Sequence, residues 1–214
     1  MLSSLQDHFG AALKKDYGDV PINTPRLKRH IHAVMKMIPN RRHPFVGIKC
    51  IHGHFMPLKY SIVRQARFVT WIREPIERLG SHYHYWRRTY EGDKSPALHR
   101  RVVEEDWSLE RFCLGPEMRN MYSQFLWGFP ARRFAFIGIV ESFESEMNYF
   151  SRTILNSTAA VYEQNRNPAG DSYFPDPEFR KNVEKYHAKD VDLYRWAVQR
   201  AAGERQLEVA ECKA

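Results

Sequence analysis

Cysteine is scarce. Cys50, Cys113 and Cys212 are the three in 214 residues, an odd number with no Cys-x-x-Cys pair. That spacing suggests neither a disulfide framework nor a cysteine-based zinc site, and it fits a reducing compartment, so a cytoplasmic setting is expected. No apolar run approaches the ~20 residues of a membrane helix. The opening residues are mixed and polar-faced, unlike the basic-then-apolar order of a signal peptide, and stable membrane insertion is not expected. Internal repeats and low-complexity tracts are absent. So is any glycine-rich loop carrying Lys with Ser or Thr, the common backbone cradle for phosphates.

What is present describes one domain over 1–214, with 205–214 expected as a frayed tail. The apolar fraction of 43 % argues against disorder. The formal net charge of +8 points to an anionic partner: a nucleotide, a sulfated or carboxylated glycan, or nucleic acid. No known nucleic-acid-binding motif occurs, so nucleic acid is not the expected partner.

The chain is organised around Phe68–Tyr83. Phe68 to Ile72 is a short apolar, β-branched run that reads as a buried strand. It stops at Arg73-Glu74-Pro75. Proline suits the first position of a helix, where its missing N–H would be unpaired anyway, and Ile76, Leu79, Tyr83 and Trp86 follow at helical spacing. A strand, a tight turn and a helix N-terminus make an anion site. Arg73 sits where it can fork onto a phosphate, and Ser81 lies about two turns on. The competing reading is that Arg73 pairs with Glu74 or Glu77 and that Ser81 only packs.

Phe45 to Ile51 reads as a second strand, leading into His52-Gly53-His54. A His-x-His pair is a zinc signature only with further ligands, and none is convincing. Histidines capping a strand end are a second reading. The third is catalysis, because a histidine with a pKa near ~6.5 can take a hydroxyl proton near neutrality, and a strand's carboxyl end faces the ligand crevice in open α/β sheets.

Two of these segments carry a resemblance. Ile72-Arg73-Glu74-Pro75-Ile76-Glu77-Arg78-Leu79-Gly80-Ser81-His82-Tyr83 resembles the 3′-phosphate-binding segment of sulfotransferases that use 3′-phosphoadenosine 5′-phosphosulfate (PAPS). Ile51-His52-Gly53-His54-Phe55 resembles the His-Gly-His segment of the heparan and uronyl 2-O-sulfotransferases. The resemblance implies an α/β, three-layer P-loop-like fold, with a central, mostly parallel sheet flanked by helices. It implies Arg73 and Ser81 on the nucleotide's 3′-phosphate, His54 as catalytic base and His52 as its support. It further implies Arg166, in the loop Asn165–Asp171, as a nucleotide contact, Arg87 or Arg88 near the acceptor, and no metal. The expected activity is sulfuryl transfer from PAPS to a hydroxyl of a carbohydrate or other anionic acceptor. The family's first strand and 5′-phosphosulfate loop have no counterpart, and the chain opens where the following helix is already under way. Lys49 and Lys59 are the nearest stand-in lysines. The alternative is a nucleotide- or polyanion-binding module with impaired catalysis.

The remaining chain yields element expectations. An amphipathic helix is expected over Met1–Lys15, and a basic one capped by Thr24, with Pro25 at its first position, that runs to about Ile38 and stops at Pro39. Ala97–Glu105 should be helical with His99 outward, followed by a helix capped by Ser108 and another over Glu117–Trp127. A strand is expected over Arg132–Glu141, then a helix with a capping pattern at Ser142 and Ser145-Glu146. Pro175–Arg200 reads as a helical hairpin or one long helix.

Overall fold

The computed structural model describes residues 2–19, 24–42, 45–157 and 172–211. The first expectation needs correction. Helix α1 is Leu2–Phe9, ended by Gly10 at φ +51°, a left-handed position that a residue without Cβ takes cheaply. After a 3₁₀ turn, Leu13–Lys15 form strand β1. Three residues placed on a helix by their apolar pattern are therefore extended, because they pair in parallel with Cys50–His52, strand β2.

Helix α2 is Arg26–Arg42 and runs through Pro39 rather than stopping there. Proline's φ is itself helical, so the helix loses one hydrogen bond without having to end. The strand expected over Phe45–Ile51 is shorter at its start. Ile48 N–H donates to Phe45 C=O at 3.0 Å, a turn that delays extension until Cys50.

The organising unit has the expected form. Strand β3 is Phe68–Ile72 and helix α3 is Pro75–Arg88, with Pro75 in the first turn and the Glu74 carboxylate accepting from Glu77 N–H. Helices α4 (Ala97–Glu104) and α5 (Leu109–Leu114) follow, and the Ser108 hydroxyl caps α5 by accepting from Arg111 N–H at 3.1 Å. His99 does not point outward. It is buried, stacked on Trp86, with Nε2 at 2.7 Å from Trp86 C=O.

Helix α6 spans only Met121–Phe125, since Asn120 at φ 51° is left-handed and no helix can run through it. Strand β4 is Phe134–Ile139, and helix α7 is Phe143–Thr153. The Ser142 side chain makes no cap, and Ser145 Oγ instead donates to Ser142 C=O at 2.9 Å. The C-terminal segment is two helices, α8 (Pro177–Tyr186) and α9 (Ala188–Glu211), parted at His187. Asn120 N–H donates to His187 Nδ1 at 3.2 Å, which leaves Nε2 protonated and donating to Cys113 C=O at 2.7 Å. Helix α9 continues to Glu211, and Arg205 pairs with Glu146 while stacking on Tyr149.

The architecture is α/β with parallel pairing, and the described residues carry two separate two-stranded sheets, β1–β2 and β3–β4. In the second, Phe68 lies opposite Phe134 and Ile72 opposite Ile139. The largest core cluster packs the buried face of α3 (Ile76, Leu79, Tyr83, Trp86) against Val102, Phe112 and neighbours. This seats α3, and therefore the turn before it, on a rigid floor. Among the described residues no helix is long and apolar enough to cross a membrane.

Candidate functional site

A cleft of about 1870 Å³ lies between the two sheets, lined by every residue of β2 and of β3. His52 is the last residue of β2, and His54 stands just beyond it. Both line the cleft, and so does Arg73, the first residue after β3. The structure thus gathers three of the sequence-selected residues around one space, each at the carboxyl end of its strand.

Tyr17 sits against both histidines. Its hydroxyl shares a 3.0 Å hydrogen bond with His52 Nδ1, and its ring meets His54 edge-on at 5.3 Å. Surrounding protein lowers both imidazoles below the ordinary histidine value, and for His52 the neighbouring His54 and Lys15 add to this. Both rings are therefore neutral near pH 7 and able to accept a proton.

The glycine between them has a steric reason. A Cβ on Gly53 would lie 1.6 Å from the Asp16 carbonyl oxygen, so the two backbones touch. Asp16 N–H donates to His52 C=O at 2.9 Å and Asp19 N–H to His54 C=O at 3.3 Å, which clamps both histidine backbones to the segment after β1. Gly53→Ala is expected to force that contact open. Overpacking of this kind costs about 2 kcal/mol, or roughly 4–8 °C in Tm for a chain of this size. Thermal unfolding checks it, and an unchanged Tm would show that the segments do not touch.

The same segment disposes of one stand-in lysine. Lys59 is buried with Nζ 2.7 Å from Asp19 and 3.2 Å from Asp16, and so is committed to two carboxylates.

Arg73 is held through its backbone. Its N–H donates to Tyr122 Oη at 2.9 Å, and the Tyr122 O–H donates to the Arg73 carbonyl at 3.0 Å. The Arg78 guanidinium lies 4.8 Å from the Tyr122 ring centroid. Arg78 also lines the cleft, and its buried Nε finds no hydrogen-bond partner among the described residues. Sequence reasoning missed Arg78 and Tyr122. Arg78 was detectable in principle, since it stands one turn after Glu74 on the helix that opens the anion site. Tyr122 is remote in sequence and gave no signal. Beside Arg78, burial first, then Arg78 and His99, push His82 down to about 3.

The start of α3 is already served by carboxylates. Glu74 accepts from Glu77 N–H at 2.7 Å, and Glu74 N–H donates to Glu141 at 2.8 Å. Glu77 accepts from Ser172 Oγ at 2.7 Å and pairs with Arg180 at 2.6 Å. Among the described residues the cation that pairs with Glu74 and Glu77 is Arg180, whereas the competing reading assigns that pairing to Arg73.

The other expected residues are not gathered here. Ser81 is half-buried on α3 and is not part of the cleft wall. Arg87 bonds Asp106 at 2.8 Å and Tyr83 Oη at 3.1 Å, and Arg88 is exposed in the last turn of α3. Arg166, with its loop Asn165–Asp171, and Cys212 lie outside the described residues. Among the described residues no group of three or more His, Cys, Asp or Glu is placed to hold a metal ion.

Comparison of the chain with family models, with curated proteins and with solved structures finds no match in any of the three.

Proposed function

We propose that this chain is a sulfotransferase-type domain that takes PAPS as donor and a hydroxyl of a carbohydrate as acceptor, in a cytoplasmic setting. The observation that carries the reading is the shared cleft: neutral histidines at the end of one strand and a guanidinium at the end of another border the same space. Arg73 binds the nucleotide's 3′-phosphate, and the unpartnered Nε of Arg78 offers a second donor. His54 takes the acceptor hydroxyl proton as the new O–S bond forms and the S–O bond to the nucleotide phosphate breaks. His52, tethered to Tyr17, keeps the strand end in place. In this reading β2 and β3 belong to the central parallel sheet of one three-layer fold.

A second reading is a nucleotide- or polyanion-binding module without turnover. It is favoured by the sequestration of Lys59 by Asp16 and Asp19, which takes a stand-in for the charge-neutralising lysine away from the cleft. Calorimetric titration with adenosine 3′,5′-bisphosphate tests the site that both readings share. Arg73→Ala is expected to weaken binding about 10- to 150-fold, the worth of a charged hydrogen bond at roughly 1.5–3 kcal/mol. Equal affinity in parent and variant would remove Arg73 from the site. Transfer of labelled sulfate from PAPS to a desulfated glycosaminoglycan then separates the two readings.

A further inference from the structure

Helix α2 presents an apolar face that stays exposed among the described residues. Leu27, Ile31, Val34, Met35 and Ile38 are each between 42 % and 70 % exposed, although the opposite face of the helix buries Arg29 and Ala33. Leu27, Ile31, Val34 and Ile38 are spaced four, three and four apart, the a/d seam that accepts a partner helix by knobs-into-holes packing. Lys28 and Lys36 run beside the seam, two turns apart and exposed, and His32 between them lies 3.6 Å from the Asp19 carboxylate. The helix contains no Asp or Glu.

We infer that α2 is a docking site for an acidic amphipathic helix of a partner protein. The partner's apolar seam covers Leu27, Ile31, Val34 and Ile38, and its carboxylates meet Lys28 and Lys36. Charge selects this occupant over a second copy of the chain, because two α2 helices would bring two cationic stripes together without a carboxylate between them. The seam selects it over an anionic bilayer, which needs an apolar face but no heptad register.

The test uses the whole chain and two labelled four-heptad peptides with Leu at a and d, one with Glu and one with Lys at e and g, followed by fluorescence anisotropy. The Glu peptide is expected to bind at least about tenfold more tightly than the Lys peptide. Ile31→Asp and the double change Lys28→Glu with Lys36→Glu should each weaken it about tenfold or more, and both sites are exposed, so circular dichroism should show the parent fold. Equal binding of the two peptides, or no loss in Ile31→Asp, overturns the proposal. Two other outcomes also overturn it: no peptide binding with Ile31-dependent pelleting on phosphatidylserine vesicles, and no peptide binding with an Ile31-dependent dimer in sedimentation.

Discussion

His54→Ala is expected to lower turnover about 10²- to 10⁴-fold, the usual worth of a positioned general base, while nucleotide affinity stays near that of the parent. The split follows from position. His54 lies beyond the end of β2, whereas Arg73 lies beyond the end of β3, on the other sheet. Removing the imidazole leaves the second wall and its Tyr122 hydrogen bonds intact. Measuring kcat in a sulfate-transfer assay beside calorimetric affinity separates the effects, and full turnover in the variant would rule His54 out as the base. The pH dependence has a definite sign. A base whose pKa is lowered is inactive when protonated, so activity should be lost as pH falls through the depressed His54 value and be flat above the ordinary value of about 6.5. His54→Ala should abolish that acidic limb along with the rate.

Asp190→Ala is expected to be the more damaging change to stability. Asp190 is fully buried, and its carboxylate accepts from Tyr122 N–H at 2.9 Å, Ser123 N–H at 2.9 Å and Ser123 Oγ at 2.8 Å. It is the N-terminal cap of α6, supplied from α9. Alanine would strand three donors, and a loss of about 3 kcal/mol is expected, roughly 6–12 °C in Tm. Asp190→Asn keeps one acceptor oxygen and should lose less. Urea unfolding at unchanged slope measures both. A midpoint for Asp190→Ala equal to that of the parent would mean that α6 is not held this way. Because Tyr122 hydrogen-bonds the Arg73 backbone, the alanine variant should also weaken nucleotide binding, a link between stability and site that crosses the whole molecule.

Local chemistry carried the organising unit in full. Phe68–Ile72 and the helix opened by Pro75 lie where apolar runs and proline place them, because one strand and one helix decide those ends among themselves. The Ser108 cap was legible for the same reason. The misread segments were settled by partners distant in sequence. Leu13–Lys15 abandon a helical pattern to pair with Cys50–His52. His99 turns inward to stack on Trp86. Asn120 takes a left-handed backbone beside Asp190 of α9 and His187 of the α8–α9 junction.

The candidate site divides along the same line. Residue types and short spacings singled out His52, His54 and Arg73, since a histidine pair around a glycine and an arginine between strand and helix are local patterns. That these three border one cleft, that Gly53 is required by the Asp16 backbone, and that Arg78 lines the cleft with an Nε unpaired among the described residues were decided by tertiary packing alone. The physical reason is range. Propensity, capping and proline act over a few residues and are written in the chain, whereas strand pairing and the burial of charge depend on which distant segments the core brings together.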